Sequence, residues 1–234
     1  MAVTAARGGV ARVSAEPAGP TEIRREGRLA VLAALAVAAL IPLGMPEGYA
    51  PGPKWLLPAV EVGFLVAMAA ADPGRIDWRS TQVRRLRVVL LVIIVAEAAW
   101  ATVWLVVDLV RGSEVTEQAD SLLAAGGLVW LGVVIAFGLL YWELDGGGPG
   151  RRAHLAPAHP DLAFPQHLSP EVCPPGWRPM FIDYLYLSFT NAMAFSPTDV
   201  MPLAHWAKLT MALESAASLV IIGLVVARAV NILA

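Results

Sequence analysis

Three carboxyl groups inside long apolar runs are the residues of this 234-residue chain whose type and position most directly suggest chemistry. They are Glu61, Glu97 and Glu214, each surrounded mainly by aliphatic residues. A carboxylate in the centre of a lipid bilayer costs about 2.5–3.5 kcal/mol and must find protein or water as a partner. Two hypotheses stay open: these groups coordinate a proton or an ion, or they lock helices together through a protonated or hydrogen-bonded carboxyl. The short apolar run around Glu61 favours the second hypothesis for that residue.

A second concentration of polar groups follows an aromatic segment near the C-terminus. Residues 180–191 are apolar and aromatic, Pro179 is suited to a helix start, and the segment ends at Thr190 and Asn191. A Pro-interrupted stretch with Ser196, Thr198 and Asp199 then leads into a long apolar run. A helix of this length is too short to cross a bilayer, which needs about 20 residues. The pattern predicts a re-entrant loop, sheltered by protein or lining a water-filled cavity.

This segment resembles the pore module of tetrameric potassium channels, which has an aromatic pore helix, a filter, an Asp, a Pro and then a basic residue in the inner helix. An ungapped comparison puts Asp199, Pro202 and Lys208 on those last three positions, and the filter falls on Ala194, Phe195, Ser196, Pro197 and Thr198. The resemblance implies a homo-tetramer and inorganic cations as partners. It also implies that Thr190 and Asn191 cap the pore helix, Ser196 and Thr198 line the constriction, and Asp199 attracts cations.

The filter departs from the potassium-channel pattern at its glycines. Ser196 and Thr198 replace them, and Pro197 replaces the central Tyr. Successive carbonyls can line a narrow pore only in backbone conformations that Gly adopts easily and Ser or Thr do not. The sequence therefore predicts a wider path for poorly selected cations, or no conduction.

The C-terminal half is also similar to an uncharacterised family of bacterial predicted membrane proteins. The shared features are the Asp-Tyr-Leu-Tyr-Leu-Ser-Phe-Thr run from Asp183, a downstream Thr-Asp pair, and an Ala-Val-Asn-Ile end at residues 229–232. This resemblance implies no activity.

The elements that must position these groups are apolar helices. Hydrophobic residues make up 57% of the chain and charged residues 15%, where a soluble domain carries about 25% charged residues. Five stretches are predicted to span a membrane: 29–45, 55–71, 88–110, 121–142 and 206–233. The predicted fold is thus an all-α polytopic membrane protein with about five transmembrane helices and a re-entrant loop. Its parts are a flexible basic segment 1–28, a four-helix region 29–144, a Gly/Pro-rich linker 145–179, and the pore-loop-like segment with the last helix, 180–234.

Arginine positions predict the orientation. Arg residues concentrate before the first predicted span, between the second and third, and in the linker, whereas the other short loops hold only Lys54 and Arg111. The positive-inside rule then places the N-terminus and the linker in the cytoplasm, in a cell inner (plasma) membrane. The re-entrant loop would enter from the cytoplasmic side, which is the reverse of potassium channels and matches the inverted module of ionotropic glutamate receptors.

Several classes of function are not supported. One cysteine, Cys173, excludes an internal disulfide, and the linker residues His154, His159 and His167 lack metal-ligand spacing, so they are interpreted as solvated. No enzyme motif, cofactor site or nucleic-acid-binding pattern is present. The leading hypothesis is a channel-like homo-oligomer in the lipid bilayer. The alternatives are a small secondary transporter using Glu97 and Glu214, and a non-conducting scaffold.

Overall fold

The chain is an all-α protein in the computed structural model, which describes residues 20–71, 81–152, 160–174, 176–193 and 199–233. The predicted all-α class is thereby confirmed. The long helices are α1 (Pro20–Gly44), α2 (Leu56–Ala71), α3 (Thr81–Arg111), α5 (Ala119–Leu144), α8 (Phe181–Ala192) and α9 (His205–Leu233). Between them lie the four-residue helices α4 (Glu114–Glu117), α6 (Pro149–Arg152) and α7 (Pro165–Leu168), and the two-residue strands β1 (Leu162–Ala163) and β2 (Met201–Pro202).

Three helical segments are long and apolar enough to cross a membrane, judged by length and composition: Arg84–Arg111, Ala119–Gly147 and His205–Leu233. They contain the predicted spans 88–110, 121–142 and 206–233; the first two spans are extended by several residues and the last by one. The predicted spans 29–45 and 55–71 coincide with shorter apolar stretches, Leu29–Gly44 and Leu56–Ala67. Five spans therefore stay a prediction. Helix α1 also begins at Pro20, inside the segment that was predicted to be flexible.

Helix α5 lies at the centre of the fold and packs against α1, α3, α8 and α9. Glycines on α5 allow two of these approaches. A Cβ added to Gly138 would lie 3.2 Å from the Cα of Leu185 in α8, and one added to Gly126 would lie 2.8 Å from a methyl carbon of Val225 in α9. At these two glycines the backbone of α5 lies close to the backbone of α8 and to the Val225 side chain of α9.

Contacts at the helix ends give the directions of α3 and α9. Arg87, near the start of α3, contacts Glu143, near the end of α5, with Nη2 and Oε1 3.3 Å apart. Arg228, near the end of α9, donates from Nε to the carbonyl of Thr116 in α4, just before α5, at 3.0 Å. Both α3 and α9 thus run antiparallel to α5.

The linker fastens the start of α9 to the end of α5. Strands β1 and β2 pair in antiparallel fashion, with Leu162 opposite Pro202. Asp161 accepts the backbone N–H of Leu203 on its carbonyl at 2.9 Å, and it accepts the N–H of Gly146 on Oδ2 at 3.0 Å. Gly146, Gly147 and Gly148 all have positive φ, which lets the chain turn sharply as α5 ends.

Helix α8 starts at the same end of the bundle and runs beside α9. Near its start, Tyr184 donates from its hydroxyl to Asp145 Oδ2 at 2.6 Å, next to the end of α5. Near its end, Asn191 Nδ2 donates to the carbonyl of Met211, well inside α9, at 2.9 Å. The chain is back at the end of α5 by Met201, where β2 pairs with β1. The chain therefore enters the twelve-residue helix α8 from one end of the bundle and returns to the same end after it.

Candidate functional site

Glu214 lies at the junction of α5, α8 and α9 and is completely buried, with 0% of its surface exposed. The hydroxyl of Tyr141 in α5 donates to Glu214 Oε2 at 2.6 Å. Asn191 Nδ2 in α8 donates to the same oxygen at 2.6 Å, and the Ser188 hydroxyl contacts Oε1. We call Tyr141, Ser188, Asn191 and Glu214 the Glu214 cluster. The structure thus brings together two residues that the sequence singled out, Asn191 and Glu214.

Each hydrogen bond of the Glu214 cluster has one donor and one acceptor when Glu214 is protonated. Ser188 Oγ lies 2.7 Å from the carbonyl oxygen of Val134, which can only accept. A hydroxyl has one hydrogen, so Ser188 cannot donate to Val134 and to Glu214 at the same time. A carboxylic acid at Glu214 resolves this, because its O–H donates to Ser188 Oγ while Oε2 accepts from Tyr141 and Asn191. No charged side chain of the described residues acts on Glu214. The cluster is therefore suited chemically to holding a proton.

Thr190 and Asn191 do not occupy the cap of α8, which is Met193. The Thr190 hydroxyl can donate its one hydrogen to either of two carbonyls of its own helix, that of Tyr186 at 2.9 Å or that of Leu187 at 3.0 Å. Asn191 is buried and accepts on Oδ1 from the Ser215 hydroxyl of α9 at 3.0 Å. Asn191 therefore joins α8 to α9, because its amide finds partners on the neighbouring helix.

The residues predicted to line the ion path fall mainly outside the described part of the chain. Ala194, Phe195, Ser196, Pro197 and Thr198 are among them. Asp199, the first described residue after them, is exposed, as is Lys208 in the first turns of α9. The predicted ion path stays a prediction.

Glu61 and Glu97 form a second group of buried carboxyls. Glu61 in α2 is 1% exposed and Glu97 in α3 is 9% exposed. Their carboxyl groups interact with each other across the contact between α2 and α3. The sequence singled out both residues and gave no reason to pair them.

The sequence did not predict a third polar group at the C-terminal end of α5. The ion-paired side chains of Arg87 and Glu143 are only 9% and 6% exposed. Beside them, Arg152 donates to the carbonyl of Asp145, and its guanidinium carbon lies 5.0 Å from the centre of the Tyr184 ring. The sequence signal for such a pair is a basic residue just before one apolar run and an acidic residue just after the next run, because antiparallel helices bring these two ends together.

His167 is exposed, in line with its interpretation as a solvated residue, and it also has a defined hydrogen bond. Its Nδ1 accepts the backbone N–H of Phe164 at 3.2 Å, and its ring centre lies 5.3 Å from that of Trp177. Partial desolvation lowers the pKa of His167 below its usual value. His154 and His159 lie outside the described residues.

The fold places the chain in the class of helical proteins that carry apolar helices of membrane-spanning length. No protein-family model, curated protein or solved structure matches the chain. Within the described ranges, no group of three or more His, Cys, Asp or Glu residues is arranged to hold a metal ion.

Proposed function

We propose that the chain is a channel-like integral membrane protein that passes poorly selected cations through a pore formed by several copies. The observation that carries this proposal is the geometry of α8. It has twelve residues, which cover about 18 Å of a hydrocarbon core about 30 Å thick. The chain enters α8 and returns from it at one end of the bundle, as a re-entrant pore helix requires.

The proposal includes five spans, α1, α2, α3, α5 and α9, with the N-terminus in the cytoplasm of a cell with an inner (plasma) membrane. The indole N–H of Trp100, in the C-terminal half of α3, donates to the carbonyl of Gly48 at 3.3 Å. The connection between α1 and α2 thus lies beside the half of α3 away from Arg87, which supports alternating directions. Exposed Arg84 and Arg85 and the linker residue Arg178 lie towards the Arg87 end, which the positive-inside rule assigns to the cytoplasm.

The electrostatics at the end of α8 favour cations. The C-terminus of a helix carries about half a negative charge from its unpaired carbonyls. In α8 this end lies beside Met211, well inside α9, as the hydrogen bond from Asn191 indicates. Exposed Asp199 then follows the predicted filter 194–198. A cation on this route meets partial and full negative charge in succession.

Several copies are part of the proposal because one face of α8 is uncovered. Ile182, Tyr186 and Phe189 on this face are 52%, 57% and 45% exposed. A non-helical return at membrane depth must be buried in protein or line a water-filled cavity. Neighbouring copies would provide that shelter, and the resemblance to channels implies four.

Flux through liposomes that contain the purified chain tests the proposal. We expect K⁺ and Na⁺ currents that rise linearly with voltage. Asp199→Asn should lower them several-fold at low ionic strength and less at high salt, because screening by salt weakens a surface charge. Asp120→Asn, which removes an exposed carboxylate at the start of α5, is the matched control and should leave the flux unchanged. Equal effects of both variants would contradict the proposed path.

A second candidate function is a proton- or cation-coupled secondary transporter. The complete burial of Glu214 beside the end of a short helix favours it, because transporters bind substrates and ions at such broken helices. In this case flux saturates with substrate and Glu214→Gln abolishes it, whereas Asp199→Asn has little effect. A folded protein without flux under any gradient would contradict both candidates and leave a scaffold.

The five-span arrangement has its own test. Five spans and a cytoplasmic N-terminus put the C-terminus outside the cytoplasm. A reporter that is active only outside the cytoplasm should therefore be active when fused after Leu233 and inactive when fused at the N-terminus. An inactive C-terminal fusion would contradict the proposed number of spans.

A further inference from the structure

The interior contact between α2 and α3 contains two carboxyl groups and no counter-charge among the described residues. Glu61 is 1% exposed, and neither of its carboxyl oxygens has a hydrogen-bond donor in the described part of the chain. The charged group that acts on Glu61 is Glu97, and the one that acts on Glu97 is Glu61. Each carboxyl is thus a polar neighbour of the other.

A small cavity adjoins Glu97. Its volume is about 20 Å³, which is enough for one water molecule, because that needs about 10–15 Å³ on this measure. Apart from Glu97, its walls are apolar residues of α1, α3 and α5, including Ala38, Ile41 and Val129. These walls contribute no titratable group, so the described residues of α1 and α5 that line the cavity place no cation beside Glu97.

Two adjacent carboxylates are unstable in such surroundings, because like charges repel strongly where little water screens them, and the oxygens of Glu61 have no donor among the described residues. One proton removes the repulsion and supplies the missing donor. The protonated carboxyl then donates its O–H to the carboxylate, and the pair keeps a single negative charge. The proton comes from water and returns to water, so no other reactant is required.

We propose that Glu61 and Glu97 form a proton-binding site inside the helical bundle, in which the two carboxyl groups share one proton. This site is separate from the Glu214 cluster, and it does not depend on whether the chain conducts ions. It makes the contact between α2 and α3 responsive to pH.

Infrared difference spectroscopy on the full chain in liposomes tests the site, because the carbonyl stretch of a protonated carboxyl is distinct from that of a carboxylate. The wild-type pair should titrate in two separated steps, as coupled acids do. Glu61→Gln and Glu97→Gln should each show one step, which coincides with neither wild-type step. The double variant should lose both. Glu117→Gln, at an exposed carboxylate outside the long helices, is the control and should retain both steps.

Two results would overturn the proposal. If the wild-type steps coincide, or if a single variant reproduces a wild-type step, the carboxyls are independent. If neither group titrates, no shared proton is exchanged.

A second measurement uses only the wild-type chain and so does not depend on variants that fold. Hydrophobic carbodiimides modify protonated carboxyls in apolar surroundings. In the first phase of the reaction, mass spectrometry should find one adduct per chain across Glu61 and Glu97 together, because one of the two is ionised until the other has reacted. Two adducts that form together from the start, or none at either residue, would contradict the shared proton.

Discussion

Removal of either partner of the ion pair Arg87–Glu143 should destabilise the fold, whereas removal of both should not. The two groups lie 3.3 Å apart and are 9% and 6% exposed. At this distance their attraction is about 5 kcal/mol for an effective dielectric constant near 20. Breaking a buried pair costs about 3–5 kcal/mol, because the remaining charge stays buried without its partner.

The surroundings predict which single variant costs more. Arg84 and Arg152 act electrostatically on both members of the pair. In Arg87→Met these two cations still compensate Glu143, which puts the loss near 3 kcal/mol, the lower end of the range for broken buried pairs. In Glu143→Met they repel Arg87, whose buried positive charge no longer faces the Glu143 carboxylate, which puts the loss near 5 kcal/mol. The double variant should lie within about 1 kcal/mol of wild type, because apolar side chains often replace a buried pair without cost.

Equilibrium unfolding in mixed micelles of neutral detergent and dodecyl sulfate, followed by far-ultraviolet circular dichroism, measures these free energies. Arg151→Met, at an exposed arginine in α6, controls for loss of a positive charge and should change stability by less than about 0.5 kcal/mol. Additive losses in the double variant would refute the reasoning. A greater loss for Arg87→Met than for Glu143→Met would refute the role assigned to the neighbouring arginines.

Three further predictions concern α8 and the linker. Gly138→Ala should destabilise the protein by about 1 kcal/mol in the same assay, because the new methyl group crowds the backbone of Leu185 and this outweighs the better helix propensity of Ala. Asn191→Ala should cost about 1–3 kcal/mol, because Glu214 loses a donor in a buried site. His167 should titrate by NMR below the usual histidine value of about 6.5. Since protonation removes its bond from Phe164, the stability it adds to the linker is present above that pH and is lost as the pH falls through its folded-state pKa.

Each of these predictions has its own control or contrary result. A Cβ at Gly223 of α9 would meet no atom within 4 Å, so Gly223→Ala should not destabilise; equal losses at Gly138 and Gly223 would exclude crowding as the cause. Thr190→Ala should change stability by less than about 0.5 kcal/mol, because the partners of its hydroxyl among the described residues are carbonyls of its own helix. A loss as great as that of Asn191→Ala would contradict the distinction between these neighbours. A His167 midpoint above that of free histidine would show that Nδ1 is not an acceptor.

The helices could be predicted from the sequence because long apolar runs without strong breakers leave few alternatives to a helix. Their ends were less predictable. Helix α3 begins at Thr81, before the basic residues that were assigned to a loop, since long cationic side chains can extend from a helix into water. Helix α1 begins at Pro20, where a proline at the first helical position was a usable signal.

Single residues of the candidate site could be predicted from the sequence, but the contacts between them could not. Glu214 and Asn191 stood out as polar groups in apolar surroundings. Tyr141 did not, because a tyrosine near the end of an apolar run is usually an interfacial residue. Its contact with Glu214 joins residues 73 positions apart, and no local spacing encodes that separation. Ser188 and Asn191, three residues apart on one helix face, were a local signal that could have been used.

The short length of α8 has a consequence for the order in which the chain is assembled during biosynthesis. A helix of twelve residues is too short to partition stably into lipid as an independent spanning segment. The partners of Asn191 at that end are on α9, which leaves the ribosome after α8. If α8 is re-entrant, as proposed above, it reaches its final depth after synthesis of α9, by folding against α5 and α9 within the membrane. Truncation before α9 would leave α8 at the membrane surface, where quality-control proteases could reach it.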